Sequence, residues 1–470
     1  GEWHLRDSCE YMLTGSMAVL DIGAKRRAEW LFNIYQMGRE AIADGENETY
    51  VISADQWDPG TAAKLVNVLR WGAIDVEQAN APFTLDGVSY PSGSYVVPSA
   101  QSFRPHLTDL LTPQVYPDRR VYPGGPPDRP YDVSGWTLPY QMGVDVRTHA
   151  GLGARRADLA LEPVEWASPP NGSVSGRATA AYAIDPKAND AFTAVNRLLT
   201  AGESVSRMTA AGDVGGRTWP AGTFVVASSD GTHARVEDAA RSLGLRITAL
   251  VVAPPVETTP LRQPRVGLYH AWGGNMDEGW TRWVLERFEF AYTRLHDAEV
   301  RTGNLRAAYD VIVLPDATYT SMLHGLSADR MPVEYTGGMT IRGVANLYDF
   351  VVEGGTLVAM DSATELPLEI FNLPLREVTS GQSDENFFIP GTLLRLEVDP
   401  EHPLGYGMPE KSTAFFSRSP AFALGRPVSR RDRQSGITPE PPSSVRAVVT
   451  YPTEDLLQSG WLLGEQGIAG

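Results

Sequence analysis

Cysteine is nearly absent from this 470-residue chain: Cys9 is the single one. One thiol excludes an internal disulfide framework, so cysteine use does not report the redox compartment. Long apolar runs are also missing, and no stretch reaches the ~18 residues that a membrane-spanning helix requires. Basic residues are outnumbered: 40 Lys and Arg stand against 57 Asp and Glu, a formal charge of −17. That balance argues against a nucleic-acid partner, which needs clustered cations. The densest basic run, Arg426 to Arg433, is interrupted by Pro427 and Asp432 and reads as solvated loop.

What is present is ample core material. Hydrophobic residues make up 42% of the chain, and its length suits about three domains at ~150 residues each. The chain opens on Gly1-Glu-Trp and is expected to be an interior stretch of a longer protein. Residues 4 to 43 read as two helices with Gly23 near their junction, because Trp30, Ile34 and Met37 recur at helical spacing. The segment 1–47 is too short for a domain and is read as the helical tail of one lying upstream.

Residues 48–253 carry an internal repeat. Tyr50-Val-Ile52 returns as Tyr182-Ala-Ile184, and Tyr90-Pro-Ser-Gly-Ser-Tyr-Val-Val97 returns as Trp219-Pro-Ala-Gly-Thr-Phe-Val-Val226. The halves 49–115 and 181–250 are expected to share one α/β fold. In the first half, Val88 to Val97 reads as a hairpin turning at Pro91-Ser-Gly93. Between the halves, Tyr116 to Gly143 is rich in proline, glycine and aromatics. It reads as an ordered cover rather than a binding loop; as a binding loop, it would offer Trp136 to a ligand.

A proline-rich linker, 252–263, leads into the last domain, 264–470. There Arg265-Val-Gly-Leu-Tyr-His270 is a buried strand, followed by a glycine loop and a helix over Trp280 to Phe288 capped by Asp277. Strands at Tyr292–Leu295, Tyr309–Leu314 and Thr356–Met360 alternate with helical segments, which predicts crossovers and a parallel sheet. Chemistry in such a sheet sits at the carboxyl ends of the strands. The glycine loop before the helix makes Asn275 and Asp277 candidate ligand-binding residues. Trp280 and Trp283 are expected to pack. From Asn372 onward the pattern turns β-like, with strands expected at Leu393–Val398 and Val445–Tyr451, and Arg426 to Ser444 reads as a disordered or exposed loop.

The stretch Arg265 to Ala363 resembles the glutamine amidotransferase-like flavodoxin fold. That family places a Cys on a tight elbow after the last of these strands, where this chain has Asp361-Ser-Ala363, and Asp316-Ala317 replaces the glycine after the third strand. The resemblance therefore implies the fold, and the missing cysteine and glycine remove the glutaminase chemistry. Several strings, among them Pro130-Tyr-Asp-Val-Ser-Gly-Trp-Thr-Leu-Pro139 and Asp277-Glu-Gly-Trp-Thr-Arg-Trp283, look like the region that follows the catalytic domain in large bacterial zinc carboxypeptidase A-like proteins. This resemblance implies a secreted or periplasmic parent with zinc in an upstream peptidase domain, a peptide substrate for that parent, and no cofactor in the present chain. The implied role is accessory. The alternatives are an amidotransferase-fold module that binds a peptide or glycan, and an independent serine hydrolase.

Two constellations could carry chemistry. Ser362, Asp361 and His402 could mimic a hydrolase triad, but no Gly-x-Ser-x-Gly frame exposes the serine. His296-Asp-Ala-Glu299 with His402 has zinc-ligand spacing, yet it lies in the amidotransferase-like region, which is the wrong fold for peptidase chemistry. Metal analysis of the purified chain is therefore expected to find no stoichiometric zinc. One zinc per chain that disappears in His296→Ala would contradict this.

Overall fold

The computed structural model describes residues 2–371, 373–425 and 445–469. The basic run Arg426 to Arg433 and the loop expected at Arg426 to Ser444 lie outside the described residues. The chain is mixed α/β with several separate sheets, one of them parallel and four-stranded. It divides into two compact units. The first holds Gly1–Gln56, Ala62–Thr112 and Val144–Ser168; the second holds Trp57–Thr61, Pro113–Gly143 and Pro169–Gly470. Among the described residues no helix is long and apolar enough to cross a membrane.

The first unit begins with a helical hairpin, α1 (Leu5–Lys25) and α2 (Arg27–Asp44). No residue of α1 is buried, and in α2 only Ala41 is. Then come β1 (Glu48–Ile52), α3 (Pro59–Trp71), β2 (Glu77–Ala79), β3 (Phe83–Leu85), β4 (Val88–Tyr90), β5 (Tyr95–Pro98), α4 (Arg104–Leu111), β6 (Val146–Ala150) and β7 (Leu161–Pro163). The main sheet runs β6-β1-β5-β2-β7, and every pairing in it is antiparallel. Val51, Val96 and Leu85 are buried in its core. The hairpin expected at Val88–Val97 is corrected. The hairpin is β3–β4, turning at Asp86-Gly87, where both residues have positive φ (48° and 80°). That pair suits the two-residue turn whose twist matches the strands. Pro91 to Gly93 instead leads into β5, which pairs with β1 and β2.

The second unit contains the aromatic-rich segment, whose regular structure is the short α5 (Leu138–Met142). Its middle is anchored. Ser134 Oγ donates to the Gly391 carbonyl at 3.0 Å, and Ser134 and Thr137 are fully buried. The elements that follow are β8 (Ser173–Val174), β9 (Ala181–Ile184), α6 (Asp190–Thr200), β10 (Val205–Met208), β11 (Gly212–Val214), β12 (Arg217–Trp219), β13 (Phe224–Ala227), α7 (Thr232–Leu243), β14 (Arg246–Leu250) and β15 (Thr258–Pro260), and six of the strands form a second, mainly antiparallel sheet. Its order is β15-β10-β13-β9-β14-β8, with β14–β8 parallel, and β11–β12 forms a separate hairpin. The proline-rich stretch 252–263 thus contains a paired strand, because β15 takes the edge beside β10, where proline is tolerated.

The parallel sheet has the order β17-β16-β18-β19, from β16 (Val266–Tyr269), β17 (Tyr292–Leu295), β18 (Val311–Leu314) and β19 (Thr356–Ala359). All four residues of β16 are buried, which is why its sequence is a continuous apolar run rather than an alternating one. Helix α8 (Met276–Arg287) follows β16; α9 (Asp297–Thr302), α10 (Leu305–Ala308), α11 (Tyr319–His324) and α12 (Thr340–Val352) lie between the later strands. In α12, Gly343, Val344, Leu347 and Phe350 are buried, a stripe at helical spacing that meets Leu295, Ile312 and Leu314. After α13 (Glu365–Ile370) the chain becomes β-rich, with β20 (Leu375–Glu377), β21 (Pro390–Val398), β22 (Lys411–Ser417), β23 (Phe422–Leu424), β24 (Val449–Thr450) and β25 (Leu457–Ser459). The strand expected over Val445–Tyr451 is only the two residues of β24.

The amino edge of the parallel sheet is fastened by one carboxylate. Asp310, just before β18, accepts from the Arg265 backbone N–H at 3.1 Å and from Arg265 Nη2 at 2.9 Å. It also accepts from Arg262 Nη2 at 2.9 Å and Arg306 Nη1 at 3.0 Å. Its side chain is 11% exposed. The hydrogen bonds from Arg265, above all, hold its carboxyl well below the usual range. A depressed folded pKa gives stability that is present above the ordinary carboxylate value of about 3.9 and lost as pH falls below it. Asp310→Asn should therefore lower stability by roughly 1–3 kcal/mol at pH 7. The gap in melting temperature from wild type should narrow below about pH 4; a gap independent of pH would contradict the assignment.

Candidate functional site at the carboxyl edge of the parallel sheet

Chain order reverses about β16: α8 carries the chain to β17 on one side, and the next crossover returns it to β18 on the other. Ligands in open α/β sheets bind in the crevice at such a reversal, outside the carboxyl ends of the strands. In this sheet those ends are followed by His270, His296, Asp316 and Asp361. The register explains the first pair. Tyr269 lies opposite Leu295, so the next residues, His270 and His296, emerge side by side.

The two imidazoles are edge-to-face, with centroids 5.2 Å apart. His296 Nδ1 lies 2.8 Å from the His270 carbonyl oxygen. A carbonyl only accepts, so this nitrogen carries a proton, and neutral His296 has its acceptor at Nε2. Trp272 lies flat on His296, 4.0 Å away and 2° from parallel, and Tyr335 meets Trp272 edge-on at 5.0 Å. His270 Nδ1 is 3.1 Å from Glu278 Oε2. Glu278 is 2% exposed, and its Oε1 has no hydrogen-bond partner, with Arg282 Nε 3.9 Å away. Below them, the buried Tyr269 hydroxyl donates to Asp297 at 2.8 Å. Burial pushes the Asp297 carboxyl up, and burial and then Asp297 itself push the Tyr269 hydroxyl up.

The cap of α8 is Asn275, not Asp277. The Asn275 side chain accepts from the Asp277 and Glu278 amides at 2.7 and 3.4 Å, because it precedes the first helical turn while Asp277 lies inside it. The Asn275 Nδ2 also donates to the Asp316 carbonyl, joining the loops after β16 and β18. Both ends of this candidate ligand residue are thus committed to the fold. Trp280 and Trp283, expected to pack, are 64% and 55% exposed and meet each other edge-on. Trp136 is partly buried in the anchored segment of the second unit, where its backbone N–H donates to Gln114 Oε1.

The residue in strained backbone after β19 is Asp361, with φ +47°, rather than Ser362. The Ser362 N–H donates to Asp316 Oδ1 at 3.0 Å, and its Oγ lies 3.4 Å from Asp361 Oδ1. Burial, then the charge of Asp316, pushes the Asp361 carboxyl up, partly opposed by a hydrogen bond from Ser419. His402 occupies a turn in which its Nδ1 accepts from the Leu404 N–H at 3.2 Å. The bonds made by Ser362 and His402 go to other groups and not to each other. Among the described residues no group of three His, Cys, Asp or Glu side chains is placed to hold a metal.

The arrangement sets an imidazole and a buried carboxylate beside an aromatic wall, with His270 Nδ1 and Glu278 Oε1 both lacking a hydrogen-bond partner. Sequence reading located the strand ends without seeing that His270, Glu278 and His296 converge. Glu278→Ala should cost roughly 2–4 kcal/mol in urea unfolding, since it leaves His270 and Arg282 facing an empty buried site. A change within ~0.5 kcal/mol, typical of a surface position, would contradict the placement of this carboxylate. No protein-family model, no curated protein and no solved structure matches the chain.

Proposed function

We propose that this chain is the non-catalytic accessory portion of a secreted or periplasmic zinc metallocarboxypeptidase-like protein, docked through its helical hairpin to an upstream peptidase domain that carries the zinc. The observation that carries the reading is the hairpin surface. Leu5, Tyr11, Leu20, Trp30, Phe32 and Met37 are each more than half exposed. Their spacing wraps apolar side chains around more than one face of the helices, and helices of that kind belong inside a core. Contiguous apolar exposure beyond a few hundred Å² marks an interaction surface.

The finer fold assignments belong to the same proposal. The order β17-β16-β18-β19 supports the amidotransferase-like, flavodoxin-like reading of the parallel sheet. For the repeat, the support is a shared order. The first sheet runs β6-β1-β5-β2-β7, and the second, read from β14, runs β14-β9-β13-β10-β15. The aromatic residue of each aromatic-Pro-x-Gly step, Tyr90 or Trp219, is buried beside its sheet. A second reading, a binding module for a peptide or glycan at the carboxyl edge, is favoured by Trp272 and Tyr335 beside His270 and Glu278.

The hairpin reading is tested by replacing Trp30, Leu31 and Ile34, which are 54%, 67% and 64% exposed, with glutamine. The isolated chain should keep its stability within ~0.5 kcal/mol per substitution, while association with the separately expressed upstream region should be lost. Losses of ~2 kcal/mol or more in the isolated chain, or unchanged association, would overturn it.

A further inference from the structure

The parallel sheet ends at β19, which pairs with β18 on one side and with no described strand on the other. The Thr356 N–H donates to the Asp310 carbonyl and the Met360 N–H to the Leu314 carbonyl, both at 3.0 Å. A strand in a parallel ladder turns the amide and carbonyl of alternate residues toward a given neighbour. Thr356, Val358 and Met360 therefore face β18, and the N–H and C=O of Leu357 and Ala359 point away from it. Among the described residues no hydrogen bond reaches those outward groups.

Exposure agrees with an open edge. All four residues of β16 are buried, whereas none in β19 is, and Val358 is 38% exposed. Open edges are normally blunted by charge, proline or a bulge. The far edge strand, β17, carries the exposed Arg294. The four residues of β19, Thr-Leu-Val-Ala, include neither charge nor proline, and their pairing has no register shift.

One face of this edge is walled. Leu357 and Ala359 pack in the same core as Leu347 and Phe350 of α12. One flank of α12 is tied to α9, where Asn346 Nδ2 donates to the Val300 and Arg301 carbonyls at 2.8 and 3.0 Å. Helical spacing puts Tyr348 and Val351 on the other flank, where they are 49% and 38% exposed. Tyr348 also meets Phe371, with centroids 5.4 Å apart. Because α9 follows β17 at the far edge, this second flank lies on the β19 side. The edge is thus a row of open backbone groups beside an apolar ledge.

We propose that β19 takes up an extended basic peptide as a fifth strand of the parallel sheet, its aliphatic side chains lying at alternate positions beside Tyr348 and Val351. The open groups select the class of ligand. Amides and carbonyls repeating every second residue along one line are complemented by another extended backbone. Charge selects among strands. The exposed Glu353, just before β19, forms no ion pair among the described residues, and the chain carries a formal charge of −17. Both oppose a second copy of the chain and favour a cationic segment. This edge is separate from His270 and Glu278, so the inference does not rest on either reading given above.

The test titrates the acetylated and amidated peptide Lys-Thr-Val-Thr-Val-Thr-Lys into the 470-residue chain, with amide-resolved hydrogen exchange at saturation. Binding should saturate between micromolar and millimolar concentrations, and exchange at Leu357 and Ala359 should slow by about tenfold or more. The same peptide N-methylated at every Val and Thr should bind about tenfold or more weakly, because it cannot donate to the edge. Ala359→Pro should weaken the unmethylated peptide equally while leaving the melting temperature within a few degrees, since it removes only an outward N–H. Four results would each overturn the proposal: no saturation, equal binding of the methylated peptide, unchanged exchange at Leu357 and Ala359, or unchanged affinity in a folded Ala359→Pro variant. Concentration-dependent protection of the two amides without peptide would also overturn it, because a second copy would then hold the edge. Should the variant fail to fold, the methylated peptide and the exchange pattern decide on the wild-type chain.

Discussion

The parallel sheet depends on how its amino edge is held. The apolar strands β16 and β18 bury their side chains and offer little that is directional for setting one against the other. Asp310 supplies direction. It draws Arg262 and Arg265, which precede β16, and Arg306, which precedes β18, onto a single carboxylate. Hydrogen bonds to a charged group are stronger than neutral ones, and several converging on one acceptor fix position as well as energy. With this edge fastened, the register Val266↔Val311 follows, and with it the positions of the loops at the opposite edge.

At that opposite edge polar groups are spent on one another. Asn275 caps α8 and binds the loop after β18; Asp316 accepts from Ser362; His296 donates to the His270 carbonyl. The groups left incompletely satisfied are Glu278 and the ring of His270. The hairpin α1–α2 presents a different situation, with its apolar surface uncovered. Burial at ~25 cal/mol per Å² is the main stabilising term for a helix in a protein. These two helices therefore draw little stability from the contacts described within the first unit.

Sequence made some of this legible because local patterns coincide with local causes. The apolar run Val311–Leu314 has strand length and ends at a proline, and it is a strand. The stripe Val344, Leu347, Phe350 is periodic, and it is buried. Other features were set by distant partners. Asn275 and Asp277 have the same capping chemistry, and only the position of the first turn separates them. Pro91-Ser-Gly93 carries turn residues as good as Asp86-Gly87, yet β5 is recruited by β1 and not by β4. The meeting of His270 with His296 follows from the pairing of β16 with β17 and not from any spacing motif. The strained residue after β19 could not be assigned between Asp361 and Ser362 without backbone angles.

The most direct test of the account is native-state hydrogen exchange on the 470-residue chain as a monodisperse monomer. Amides are protected in proportion to the free energy of the opening that exposes them. Residues 5–44 should exchange through low-energy local opening, orders of magnitude faster than Val311 to Leu314 in β18. Protection of α1 and α2 equal to that of β18 in the monomer would contradict it, because the hairpin would then already have its partner within this chain.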